Sequence, residues 1–315
     1  MRAIYNILWG RNEITNSKAI LDENGYTYFR TAKAMGGRNI LMGGDIANSV
    51  QTTLNKELNI TSKMAREKYN NTNEIEELLN TIKKSEIADL FECYHYIGNF
   101  VLVPAYFNGW RGTNSAVEDY FDKSLKELKE NGWETVKQLI LKNRSKGEKR
   151  IFVLENAKRM YKDFSSEDFT TYINCMFMWE YVSVKNGEYC INSLREGDWL
   201  QGQYVELGEN VSNDLSAEKI KTFCANVKTA ISRRGIFMAL MLKIALDYPG
   251  GNYKKKEWEN WQVSDIYKQL VDNIFLSGKV YSGLGEIFKA IYMELDKSNL
   301  SEEDVKEIKG FIRAI

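Results

Sequence analysis

The C-terminal third of the chain is a succession of helical apolar patterns, and this feature constrains the fold more than any other. Apolar residues recur there at the spacing that is typical of amphipathic helices with one buried face. The pattern predicts helices over 216–233, 235–248, 261–275, 282–296 and 301–313. Ser301 and Asp304 are suited to cap the last of them. The sequence therefore predicts a mainly α protein.

A few short strands are expected beside the helices. Residues 1–50 mix aromatic and β-branched runs with paired glycines, which favours short strands and turns. A β-hairpin is predicted near 181–193, because Asn186-Gly187 is a preferred type I′ turn pair between apolar runs. The expected fold class is an irregular helical protein that contains these strands.

Further helices are predicted in the first two thirds of the chain, and two of them bear on the core. Ser115 and Glu118 form a capping box, and the helix that follows presents Phe121 and Leu125 on its core face. A helix over 165–182 is apolar nearly all round, which predicts a central position in the fold.

The chain is expected to divide near residue 205. Residues 1–205 are interpreted as a mixed helical domain with short strands, and 206–315 as a helical region. A polar, glycine-spaced stretch near 200–215 suggests the boundary. The alternative is one continuous domain.

Charge and hydropathy exclude some classes of partner. The 43 basic and 43 acidic side chains cancel, so no overall field attracts nucleic acid or a membrane. No window approaches the ~18 uninterrupted apolar residues of a membrane span. The start has too short an apolar run for a signal peptide. These features predict a soluble cytoplasmic protein.

Cofactor and metal signatures are missing from the sequence. Cys93, Cys175, Cys190 and Cys224 have no C-x-x-C spacing, and buried reduced thiols are expected. A single histidine excludes histidine-rich zinc sites. Neither a P-loop nor a dinucleotide-binding motif occurs. No metal and no cofactor are predicted.

The most unusual segment is YHYIGNFVLVPAYFNGWRG, residues 94–112. The side chains in and after it that could act on a ligand are Asn99, Asn108 and Arg111 as binding candidates, and His95, Asp119 and Asp122 as catalytic candidates. The favoured alternative is structural, with Arg111 buried against Asp119 or Asp122 and Asn108 closing a turn. On this interpretation the segment fastens a helical scaffold.

A basic run covers residues 137–162. Its candidate phosphate-binding or nucleic-acid-binding side chains are Lys142, Arg144, Lys146, Lys149 and Arg150. Such a cluster could grip phosphates. The favoured alternative is a solvated surface that is balanced by acidic residues elsewhere.

The order of several short blocks resembles an uncharacterised bacterial family, a domain of unknown function. The blocks are YNILWG, IGNFVLVP, FNGWRG with DYFDKSLKEL, and DFTTYINCMFMWEYV, and they span about residues 1–200. Because that family has no established activity, the resemblance implies no catalytic roles. It implies only that residues 97–122 are a defining feature.

Three functions remain open. The favoured one is an interaction protein, in a bacterial–phage conflict setting, with exposed aromatic anchors. The anchor candidates are Trp199, Tyr204, Trp258 and Trp261. The alternative is a nucleotide- or nucleic-acid-binding enzyme or sensor that uses the 137–162 surface and the FNGWRG loop. The third is a small-molecule binding module with its pocket under that loop. A protein partner is expected, and the oligomeric state is left open.

Overall fold

The computed structural model describes residues 97–99, 121–122, 125–126, 129–130, 169–208, 217–248 and 264–313. The short strands predicted in 1–50 and the basic run 137–162 lie outside these described residues. Within them the chain is mainly helical, with one antiparallel hairpin, as the apolar patterns predict.

The elements follow the chain in a simple order. They are α1 (Phe169–Cys175), β1 (Val182–Lys185), β2 (Glu188–Ile191), α2 (Ala217–Asp247), α3 (Asp265–Leu270), α4 (Leu284–Asp296) and α5 (Glu302–Arg313). Short 3₁₀ helices cover Ile97–Asn99 and Trp179–Tyr181, and a π-helical turn, Val271–Phe275, continues α3. Residues 121–122, 125–126 and 129–130 are helical, as expected after the capping box, and Leu125 is buried.

Helix α1 ends earlier than the apolar pattern of 165–182 predicts. The N–H of Phe177 donates to the carbonyl of Asn174 at 3.2 Å, and that of Met178 to the carbonyl of Ile173 at 2.9 Å. These are the two bonds of a Schellman motif. Phe177 has a φ of 56°, at the position that glycine usually takes. The prediction of one continuous helix was wrong because no glycine marks its end.

The predicted central position of this segment is confirmed. Phe177 is buried, and its ring lies 5.7, 5.6 and 5.4 Å from the rings of Trp179, Phe237 and Phe275. A left-handed conformation costs an L-residue about 1–2 kcal/mol. Burying a phenylalanine gains about 1.5–3 kcal/mol, which offsets that cost.

The predicted hairpin is confirmed, together with its type I′ turn. Strands β1 and β2 are antiparallel, with Val182 opposite Ile191 and Lys185 opposite Glu188. Asn186 and Gly187 between them have φ values of 52° and 82°. Two positive φ angles define the type I′ turn that suits the right-handed twist of paired strands.

Helix α2 is one continuous helix of 31 residues, and not the two helices predicted over 216–233 and 235–248. Gly235 lies inside it and is buried. A Cβ atom added to Gly98 would lie 2.5 Å from the amide nitrogen of Gly235, so the absent side chain at 235 serves close backbone packing. The predicted break was wrong because this glycine permits a contact and does not end the helix.

The three C-terminal helices match their predicted positions closely. Helix α4 was expected over 282–296 and α5 over 301–313, and both begin within two residues of those limits. The predicted cap of α5 is confirmed, because the N–H of Asp304 donates to Ser301 Oγ at 3.2 Å. Only the start of α3 differs more, at Asp265 where 261 was expected.

One hydrophobic cluster joins the described elements. It contains Leu125, Trp199, Phe237, Tyr267 and Ile312, so residues on both sides of position 205 contribute to it. The division into 1–205 and 206–315 stays a prediction. None of the helices in the described part of the chain has the length and apolarity that crossing a membrane would require.

Candidate functional site

Trp199 is the centre of the loop that follows β2. Its side chain has no exposed surface, and its Nε1 donates to the carbonyl of Ser193 at 3.2 Å. Its ring meets those of Tyr181 and Tyr204 nearly edge-on, at centroid distances of 5.8 and 5.4 Å. The prediction that Trp199 is an exposed anchor was therefore wrong, because the core accommodates its ring and satisfies its N–H.

Asn226 of α2 holds the backbone of this loop. Its Oδ1 accepts a hydrogen bond from the N–H of Trp199 at 3.1 Å. Its Nδ2 donates to the carbonyls of Leu194 and Glu196 at 3.2 and 3.1 Å. The side chain is buried, so these bonds satisfy groups that water does not reach. Sequence reasoning missed Asn226, since a lone polar residue in a helical pattern gives no sign that it is buried.

Residues 198–205, here called the 198–205 loop, form a tight reversal. Asp198 and Gln203 exchange backbone hydrogen bonds of 2.9 and 2.8 Å, and the N–H of Gln201 donates to Asp198 Oδ1 at 3.2 Å. Gly197 has a φ of 77°, and a Cβ there would lie 2.2 Å from the carbonyl oxygen of Gln203. The sequence around the loop thus fixes one backbone conformation.

The loop carries apolar side chains into solvent. Leu200 is 67% exposed, Val205 is 40% exposed and Tyr204 is 36% exposed. Tyr204 is the one predicted anchor that the structure places at the surface, while Trp258 and Trp261 lie outside the described residues. Leu200, at the tip of the loop, is therefore its most exposed apolar side chain.

Glu180, Tyr204 and Arg233 form a polar cluster beneath the tip. Arg233 donates to the carbonyls of Trp199 and Leu200 at 3.0 and 3.2 Å, and also to the hydroxyl of Tyr204 at 3.2 Å. That hydroxyl donates to Glu180 Oε2 at 3.2 Å. Burial raises the pKa of the Glu180 carboxyl above its ordinary 4.5, and the nearby Arg233 charge opposes the rise. The cluster ties the loop to both α2 and the Trp179–Tyr181 turn.

A groove of about 670 Å³ lies between the 198–205 loop and α2. Asp198 and Leu200 line it on the side of the loop. Helix α2 contributes hydroxyl groups and the cationic side chains of Lys221, Lys228 and Arg233. Its volume is within the range of small-molecule sites. Polar donors and one exposed leucine thus share a single concave surface.

Asp122, a catalytic candidate from the sequence, lies in the core. It has no exposed surface, and its Oδ2 accepts hydrogen bonds from Arg195 Nη1 and from the N–H of Leu194, both at 3.1 Å. The Arg195 guanidinium also lies 5.7 Å from the centre of the Phe223 ring. The geometry fits a structural ion pair that fixes the chain before the 198–205 loop.

The Ile97–Asn99 turn packs closely against α2. The carbonyl of Gly98 accepts from Arg234 Nη1 at 2.8 Å, and the same guanidinium donates to the carbonyls of Met176 and Phe177 at the end of α1. Arg234 is buried. The start of the unusual central segment is therefore fastened to the scaffold, as the structural interpretation expects for this part.

The remaining candidate residues are mostly beyond the described ranges. Those outside are His95, Asn108, Arg111, Asp119, Lys142, Arg144, Lys146, Lys149 and Arg150. Asn99 is half-buried, and its ligand-binding role stays a prediction. Cys175 and Cys224 are buried thiols and Cys190 is half-buried, while Cys93 is not described. In the described part of the chain, no group of three His, Cys, Asp or Glu side chains is placed to hold a metal ion.

Comparison with known proteins adds no relative to this description. No family model, no curated protein and no solved structure matches the chain. The resemblance to an uncharacterised bacterial family stays a prediction. The site must accordingly be interpreted from its own geometry.

Proposed function

We propose that the chain binds a partner protein through the 198–205 loop, with Leu200 as the apolar anchor. The observation that supports this most is the exposure of Leu200, 67%, at the tip of a loop whose backbone is held by buried contacts. A single exposed leucine is common on protein surfaces. A strongly exposed leucine on a loop whose backbone is held in one conformation is a better anchor.

Rigidity matters because it lowers the cost of association. A flexible loop must lose conformational entropy when it binds, whereas a preorganised loop has lost it on folding. The bonds from Asn226 and Arg233 to the loop backbone provide this preorganisation. Burying one leucine side chain is worth about 1.5–2 kcal/mol, or roughly a tenfold to thirtyfold gain in affinity.

The other two functions have less support among the described residues. The basic 137–162 surface and the FNGWRG loop, which a nucleotide- or nucleic-acid-binding enzyme or sensor would use, lie outside the described ranges. So does the loop that would cover a small-molecule pocket. These functions, and the setting in bacterial–phage conflict, stay predictions.

The proposal is tested by site-directed photo-crosslinking in the organism that encodes the chain. A benzoyl-phenylalanine at position 201, which is exposed, places the probe beside Leu200. The expected result is one protein crosslinked to the parent chain and lost in the Leu200→Ser variant. The matched control is Met293→Ser, because Met293 on α4 is 61% exposed and far along the chain from the loop.

The affinity of the captured protein for the purified parent chain and for each variant is then measured. The captured protein should bind the parent chain and the Met293→Ser variant equally, and the Leu200→Ser variant at least about tenfold more weakly. Equal binding by all three chains, or no crosslink that depends on Leu200, would refute the proposal. Matching thermal unfolding curves of the two variants exclude a loss of folding as the cause.

A further inference from the structure

We infer that the cluster of Glu180, Tyr204 and Arg233 is a proton-sensitive latch on the 198–205 loop. The latch holds the loop more firmly when the Glu180 carboxyl group is neutral, and it lets the loop open more often when that group is ionised. The inference goes beyond the proposed function, because it concerns the motion of the loop and needs no partner. It is carried by a buried carboxyl group that contacts both the loop and the arginine that holds the loop.

The ionised carboxylate is poorly compensated in the closed loop. Glu180 is only 7% exposed. Its Oε2 accepts a hydrogen bond from the Tyr204 hydroxyl at 3.2 Å and lies 3.5 Å from Arg233 Nη1. Strong charge-assisted hydrogen bonds are shorter, at about 2.5–2.9 Å. Two long contacts therefore replace only part of the hydration that a carboxylate loses on burial.

Arg233 divides its donors among several acceptors. Besides Glu180, it donates to the Tyr204 hydroxyl and to the carbonyls of Trp199 and Leu200. Its side chain is 33% exposed, so water also screens its charge. The bonds to the two carbonyls do not require an ionised carboxylate, and they keep Arg233 on the loop when Glu180 is neutral.

Glu180 is the member of the cluster that changes charge between acid and neutral pH. The described charged or titratable groups that face it are Tyr204 from the loop and Arg233 from α2. Burial raises the pKa of Tyr204 to about 12, and an arginine keeps its charge in proteins. Burial also raises the pKa of the Glu180 carboxyl above 4.5, against the opposing effects of Arg233 and Tyr204. The switch therefore lies above pH 4.5 and belongs to Glu180.

The direction of the switch follows from linkage. When the loop opens, Tyr204 leaves the carboxyl group and water takes its place, which favours the ionised form. The closed loop therefore binds the proton more tightly than the open loop does. Protonation consequently favours the closed loop, and ionisation favours the open one. As the pH rises through the raised pKa of Glu180, the loop should open more often.

The inference is tested by hydrogen–deuterium exchange of the loop amides, measured by mass spectrometry. The N–H groups of Asp198, Gly202 and Gln203 donate hydrogen bonds within the loop, so they exchange when it opens. The parent chain is compared with the Glu180→Gln variant, whose side chain is neutral at every pH. The ratio of the parent rate to the variant rate should rise at least about threefold between about pH 4 and about pH 7. Taking the ratio at each pH cancels the intrinsic pH dependence of exchange.

Two further variants sharpen the test. Glu196→Gln is the matched control, because Glu196 is an exposed carboxylate two residues before the loop; its ratio should stay within about 1.5-fold over the same pH range. Tyr204→Phe removes a hydroxyl that an ionised carboxylate needs more than a neutral one. Its loop should exchange faster than the parent loop, by a factor that rises at least about twofold from pH 4 to pH 7. The amides of α4 are the reference for changes that affect the whole fold.

The other outcomes overturn the inference. If the ratio for Glu180→Gln stays within about 1.5-fold, the charge of Glu180 does not act on the loop, and if the ratio falls, the ionised carboxylate is the form that holds it. An equal rise for the α4 amides would assign the effect to the whole fold. Should Glu180→Gln fail to fold, Tyr204→Phe decides on its own criterion. None of these measurements uses Leu200 or a partner, so the latch and the proposed function fail separately.

Discussion

Replacement of Gly98 by alanine is expected to destabilise the protein by about 2–3 kcal/mol. The new Cβ would lie 1.9 Å from the carbonyl oxygen of Ile231 and 2.5 Å from the amide nitrogen of Gly235. Ordinary contacts of carbon atoms are about 3.5–4 Å, so the overlap exceeds 1 Å. Both atoms belong to the backbone of α2 and cannot rotate away, which places the cost at the upper end of the range for an added methyl group.

The measurement is urea unfolding followed by tryptophan fluorescence, together with a thermal melt. The expected fall in Tm is about 4–12 °C, at roughly 2–4 °C per kcal/mol. The matched control is Gly310→Ala in α5, where an added Cβ meets no atom within 4 Å. That change adds the same methyl group and should stabilise the helix by about 0.5–1 kcal/mol.

A Gly98→Ala variant within about 0.5 kcal/mol of the parent chain would refute this reasoning. It would mean that the Ile97–Asn99 turn does not press on α2 as closely as 1.9 Å implies. The fastening role of the central segment would then lose its support in this part of the chain, and a ligand-binding role for Asn99 would gain weight.

Two further predictions concern buried charges. Asp122→Asn should destabilise the protein by about 3 kcal/mol in chemical denaturation, because it removes a buried carboxylate that contacts the guanidinium of Arg195 at 3.1 Å. Unchanged stability would contradict the structural role of this ion pair. Burial raises the pKa of the Glu180 carboxyl above 4.5 in the folded protein. The folded state therefore binds this proton more tightly than the unfolded state does. The contribution of Glu180 to stability falls as the pH rises from 4.5 through the raised pKa. Glu180→Gln should remove that decline when the free energy of unfolding is compared between about pH 4 and pH 7, and an unchanged pH profile would refute the assignment.

The sequence predicted those elements whose signals are local. The hairpin was predictable because Asn186-Gly187 is adjacent to both strands, and α4 and α5 because each repeats its apolar face over several turns. The cap at Ser301 likewise depends on a residue only three positions away, because its Oγ accepts the N–H of Asp304. Such features depend on neighbours in sequence, so a pattern can reveal them.

The errors lie where distant residues decide the structure. The turn that follows helix α1 uses Phe177 where a glycine is usual, because the aromatic rings of α2 and the Val271–Phe275 turn bury it. Gly235 stays helical because Gly98, 137 positions earlier in the sequence, needs its space. Trp199 is buried because Asn226 and Ser193 satisfy its polar groups. No local pattern contains these partners.

The candidate site shows the same division. Tyr204 was identified from its residue type, and it is exposed. Leu200 carries the proposal but has no distinguishing sequence signal, since its exposure follows from the reversal that Asp198 and Gln203 close.

The span of the Arg234 contacts has a kinetic consequence. Its bonds reach 57 and 58 residues back to the end of α1 and 136 residues back to Gly98. Closing such large loops has an entropic cost that is met only after the local helices have formed. Interactions that are absent from the folding transition state lower the unfolding rate and hardly change the folding rate. Arg234 should therefore lengthen the lifetime of the native state more than it speeds folding.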